Sequence, residues 1–69
     1  MSYDQIAVAI MSRLIEQADR DITEASDMCR SLRDRSDPGS SAKAKFRAAA
    51  DHMEQALVMV QDARNRLGL

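Results

Sequence analysis

Apolar residues recur along the first half of the chain at alternating spacings of three and four: Val8, Met11, Ile15, Ala18, Ile22, Ala25, Cys29 and Leu32. The second half repeats the pattern with Ala42, Phe46, Ala49, Met53, Ala56, Val60, Ala63 and Leu67. Sustained alternation of this kind puts each set on one face of a helix, as in a coiled-coil seam; a strand would alternate every second residue. One strong breaker cluster separates the sets, Ser36-Asp37-Pro38-Gly39-Ser40-Ser41. Asp37 can cap a helix that starts at Pro38, or Ser40 or Ser41 can cap one starting slightly later. Gly68 is a stop signal. The pattern predicts an all-α fold: one antiparallel two-helix hairpin filling residues 1–69, with helix 1 over 3–35, a loop at 36–40 and helix 2 over 40–67.

Folding the chain back at Pro38–Gly39 brings the seams into register. Leu32 meets Ala42, Cys29 meets Phe46, Ala25 meets Ala49 and Ile22 meets Met53. Toward the open end Ala18 meets Ala56, Ile15 meets Val60, Met11 meets Ala63 and Val8 meets Leu67. Most layers oppose a large residue to a small one, which lets them interdigitate.

A second apolar set remains. Tyr3, Ala7, Ile10 and Leu14 form another stripe on helix 1, and Ala50, Leu57 and Met59 fall outside the main seam of helix 2. A lone hairpin of 69 residues has little core and cannot cover these positions itself. Tyr3, Ala7, Ile10, Leu14 and Leu57 are therefore the expected dimer interface of an isologous four-helix bundle.

Composition narrows the means of stabilisation. Cys29 is the only cysteine and His52 the only histidine, which excludes an internal disulfide and argues against a Cys/His metal site. An unpaired cysteine fits a reducing cytoplasm. The first residues lack the basic stretch of a signal peptide, and the apolar run from Ile6 to Met11 is far short of the roughly 20 residues that span a bilayer. A formal net charge of −1 gives no overall attraction to nucleic acid or an anionic membrane.

Charge is nevertheless segregated. Glu16, Asp19, Asp21, Glu24 and Asp27 make the middle of helix 1 acidic, while Arg30, Arg33, Arg35, Lys43, Lys45 and Arg47 make the loop end basic. Cations at the start of helix 2 oppose its dipole, which hints at a purpose other than stability. The expected partner-binding residues are Glu16, Asp19, Asp21, Glu24 and Asp27 with Arg33, Lys43 and Arg47. The basic tip also permits an RNA- or DNA-binding hairpin dimer, although Asp27, Asp34 and Asp37 interrupt it and Phe46, the one aromatic nearby, belongs to the seam.

No catalytic arrangement emerges. Cys29 sits in the seam as a small hydrophobe, and His52 falls about 9–10 Å from the position opposite it. With glycine only at 39 and 68 there is no phosphate-cradling loop, and neither Cys-x-x-Cys nor His-x-x-x-His occurs. The expectation is a non-enzymatic protein without cofactor or metal.

In length and layout, a 69-residue, cysteine-poor helical hairpin with a polar exposed face, the chain resembles the small phage-encoded anti-activators of bacterial quorum sensing. That resemblance implies an inhibitor of host proteins: a LuxR-type transcription regulator (LasR), kept from its DNA, and the type IV pilus assembly ATPase PilB. It implies a homodimer in the cytoplasm of the host bacterium, and it carries no site residues. The acidic band would meet a basic DNA-binding surface by charge complementarity. The chain also resembles type III secretion co-chaperones, which are short helical hairpins too; there the apolar stripe would be completed by another chain.

Overall fold

The computed structural model describes residues 3–68, the side chain of Tyr3 excepted. Two helices, α1 (Tyr3–Arg35) and α2 (Ser41–Arg66), pack against each other, and the described residues contain no strand. The chain is an all-α helical hairpin measuring 55 × 15 × 12 Å.

The reversal is built from short polar side chains. Helix α1 ends where the Ser36 hydroxyl donates to the Leu32 carbonyl at 2.7 Å, taking one of the orphan acceptors of the last turn. Gly39 adopts φ +75°, the left-handed conformation that costs a glycine nothing. Ser40 then turns to extended backbone (φ −74°, ψ 154°), and its hydroxyl accepts the Lys43 N–H at 3.1 Å. Of the three expected capping residues, Ser40 therefore is the N-cap. At the far end the Leu67 and Gly68 amides return to the Ala63 and Asn65 carbonyls, with Gly68 at φ +73°.

The contact between the helices is broader than a two-lane seam. Ile15 is buried, and Ala18, Ile22, Ala25 and Cys29 are half-buried, as seam positions should be. The most enclosed side chains, however, are Ser26 and Ala50, each 1% exposed. The fold-back sets these two level with each other. Ser12, Asp19, Ser26 and Arg33 recur every seventh residue on α1 and are all at least half-buried; Lys43, Ala50, Leu57 and Arg64 do the same on α2. The helices thus approach along a line rotated toward these lanes, with the smallest side chains at the closest point. Ala50 and Leu57, expected outside the main seam, belong to this third lane; Ala50 is core. Conversely Val8, Met11, Leu32 and Leu67, expected in the seam, stay exposed, because a two-helix layer leaves the sides of its own seam open to water.

Candidate interaction surfaces

Cross-helix ion pairs identify one long side of the hairpin. Arg30 bonds Glu54, and Arg64 lies 3.7 Å from Glu16. Asp27 also approaches Arg30, at 3.6 Å. The hydrogen bond to Glu54 and its negative charge raise the Arg30 guanidinium above its ordinary pKa, so it stays charged. At about 100° of rotation per residue, Ser12, Glu16, Thr23 and Arg30 on α1 share this polar flank with Glu54, Gln61 and Arg64 on α2.

The same rotation defines the opposite flank. It carries Ala7, Ile10, Met11, Leu14, Ala18, Ala25, Met28 and Leu32 of α1 beside Ala49, Ala56, Met59, Ala63 and Leu67 of α2. Leu14 is 52% exposed, Met28 67% and Met59 72%. The charged or ionisable groups there are Asp21 and Arg35 on α1, Arg35 lining a groove with Met28 and Leu32, and Lys45, His52 and Arg66 on α2, with Arg66 tied back to Asp62 at 2.8 Å. Of the expected interface residues, Ala7, Ile10 and Leu14 lie on this flank, Ala7 half-buried and the others exposed. Leu57 is half-buried beside Ala50, turned toward the polar flank, whereas Met59 on the apolar one is 72% exposed. The Tyr3 side chain is outside the described residues. Exposed Ile6 and Val58 stand on the outer sides of the open half, where shallow grooves run past Ile6, Ala9, Ile10 and Arg13 and past Asp4, Gln5, Val8, Ala9 and Ser12.

The acidic residues do not form one face. Glu16 and Asp27 sit near cations on the polar flank, and Asp19 is half-buried, its carbonyl accepting the Thr23 hydroxyl at 2.8 Å. Glu24 projects from the outer side of α1 and Asp21 from the apolar flank, neither in an ion pair among the described residues. Together the five span more than half of the helix circumference. The basic tip is equally divided. Arg33 is neutralised by Asp34 at 3.0 Å and Arg30 by Glu54, Lys43 is half-buried, and Arg47 and Lys45 lie on opposite flanks. Among the described residues these cations form no continuous strip that could follow a phosphate backbone.

Among the described residues no group of three or more His, Cys, Asp or Glu side chains could hold a metal ion. No described helix is long and apolar enough to cross a membrane. What sequence reasoning missed was the third contact lane and the length of the apolar flank beyond Leu14. Its signal was the heptad recurrence of Ser12, Asp19, Ser26 and Arg33, hidden by their polarity. No protein-family model matches the chain, and no curated protein and no solved structure is significantly similar to it.

Proposed function

We propose that the chain is a non-catalytic protein-interaction module that works as a homodimer and inhibits a protein partner by occupying its surface. The observation that carries the reading is surplus surface. The chain exposes 5300 Å², whereas a compact monomer of 7.7 kDa exposes about 4,300 Å². Its radius of gyration is 16.1 Å against about 11 Å for a compact chain of this length. The surplus of about 1,000 Å² matches what each partner of a standard interface buries, about 800 Å². The hairpin also carries an apolar flank with Leu14, Met28 and Met59 exposed, the kind of surface that marks a docking site.

A basic surface, such as the DNA-binding domain of a LuxR-type quorum-sensing regulator, suits the unpaired Glu24 and the acidic groups around it. A pilus assembly ATPase as second target rests on the resemblance alone. The co-chaperone alternative uses the same apolar flank with another chain on it.

Light scattering on the purified chain tests the core of the proposal. A 15.4 kDa-class particle, twice the 7.7 kDa chain, that falls to the monomer in Leu14→Lys/Met59→Lys supports it. A well-folded monomer at high micromolar concentration refutes it. For the partner, Glu24→Lys/Asp27→Lys weakens binding to a purified LuxR-type DNA-binding domain at low salt; unchanged binding removes that partner.

A further inference from the structure

The five methionines of the chain are unequally protected. Met53 is half-buried in the seam, and Met11 is 43% exposed. Met59 at 72% and Met28 at 67% are the most exposed large hydrophobic side chains among the described residues. Met1 lies outside those residues. Met11, Met28 and Met59 all stand on the apolar flank, Met28 on α1 toward the turn and Met59 on α2 toward the open end. The least covered parts of that flank are therefore two thioethers, one on each helix and one in each half of the hairpin.

A thioether differs from the leucines and isoleucines around it in one chemical respect: its sulfur gives up two electrons readily. With hydrogen peroxide an S–O bond forms, the O–O bond breaks, and the second oxygen leaves as water, so the sulfur is oxidised and the peroxide reduced. The product, methionine sulfoxide, is polar and must shed bound water before another apolar surface can cover it. All four described methionines share this chemistry, so access sets the order of attack: Met59 and Met28 first, Met11 next, Met53 last. The one thiol, Cys29, is half-buried between the helices.

We propose that Met28 and Met59 are an oxidation site through which peroxide controls the self-association of the chain. This rests on the proposed homodimer. When two copies meet across the flank both sulfurs are covered, and when they part both are open. Oxygen therefore adds to the separated chain, and the sulfoxides weaken its return to the dimer. By the same linkage the dimer protects its own methionines. The burial lost with each methionine side chain weakens association about 10-fold or more. Methionine sulfoxide reductase reverses the change.

The test uses the full chain carrying Cys29→Ala, so that no thiol reacts. Dilute, monomeric chain is treated with hydrogen peroxide, the sulfoxides are located by peptide mass mapping, and light scattering follows the oligomer after concentration. The expected result is oxidation of Met59 and Met28 ahead of Met11 and Met53, unchanged helix content by circular dichroism, and a monomer where the untreated chain is a dimer. Adding Met28→Leu/Met59→Leu keeps the flank apolar and the dimer intact, because leucine replaces methionine with little change in volume, and it makes the dimer resistant to peroxide. Adding Met28→Gln/Met59→Gln weakens the dimer without any oxidant. A dimer that persists with both sulfurs fully oxidised overturns the inference and leaves the homodimer standing. Equal dissociation of the leucine variant, or loss of helix on oxidation, overturns it too, since the effect then arises elsewhere in the chain. A monomer before treatment overturns the homodimer and the inference together.

Discussion

Ser26 is the sharpest test of how this hairpin is held together. Its side chain is 1% exposed, and its hydroxyl is buried without a hydrogen-bond partner. Three residues earlier Thr23 satisfies its own hydroxyl on the Asp19 carbonyl, so the helix offers that remedy and Ser26 does not take it. An unpaired buried polar group costs about 1–3 kcal/mol. Ser26→Ala removes that cost and gains up to about 0.5 kcal/mol of helix propensity. Against this stands an oxygen-sized void of about 10 Å³, worth about 0.2 kcal/mol at the cavity rate. The net expectation is a stabilisation of about 1–3 kcal/mol, or a melting point higher by about 4–24 °C for a domain of this size. Far-UV circular dichroism melts, run at one fixed chain concentration because self-association shifts the midpoint, read the change directly. A melting point unchanged or lowered in Ser26→Ala refutes the placement of Ser26 at the closest point between the helices. Ser26→Leu works in the other direction: with Ala50 level with it and fully enclosed, the added volume costs about 1–3 kcal/mol.

Ser40→Ala removes the acceptor for the Lys43 amide and lowers stability by about 1 kcal/mol, visible as a lower urea midpoint at unchanged slope. Gly39→Ala meets no atom within 4 Å but forces an L side chain into φ +75°, so it costs about 1–2 kcal/mol, purely through the backbone. Glu54→Gln releases Arg30 from its cross-helix partner; the melt shifts only slightly, and raising the salt concentration in the wild-type chain produces a similarly small loss. Met59→Ser leaves the melt of dilute, monomeric chain nearly unchanged yet weakens dimerisation several-fold, since a residue 72% exposed in the hairpin has little to lose within it.

The hairpin was legible because its two signals agree: a run of three-and-four spacings on each side of one breaker cluster. Three residues could have capped the second helix, Asp37, Ser40 and Ser41, and the structure takes Ser40. The pattern read less well wherever small or polar side chains decide the contact. Ser26 and Ala50 carry almost no apolar signal, yet small size is what lets two helix backbones come close, so the tightest point of the molecule was invisible to a search for hydrophobes. Leu57 was read as outward-facing for the complementary reason: a two-lane seam has no room for it, and only the third lane shows where it goes. The charged residues were read as axial bands, an acidic middle and a basic tip. That holds along the axis, but rotation about each helix scatters both bands, and Arg30 and Glu16 are partly neutralised by Glu54 and Arg64 of the other helix, far away in sequence.

The five-residue turn at 36–40 also sets an order of events. Residues flanking it, such as Arg35 and Ser41, are close along the chain, whereas those at the open end, such as Ile6 and Arg66, are far apart along it. Closing a short loop costs far less entropy than closing a long one when nothing else is formed. The hairpin therefore zips from the Gly39 turn outward, each closed layer shortening the search for the next, and unzips from the other direction. Amide exchange in dilute solution should show that polarity as a gradient, with slowest exchange around Ser26 and Ala50 and fastest near Ile6 and Arg66. The half of the molecule that opens first is the half richest in exposed large hydrophobic side chains.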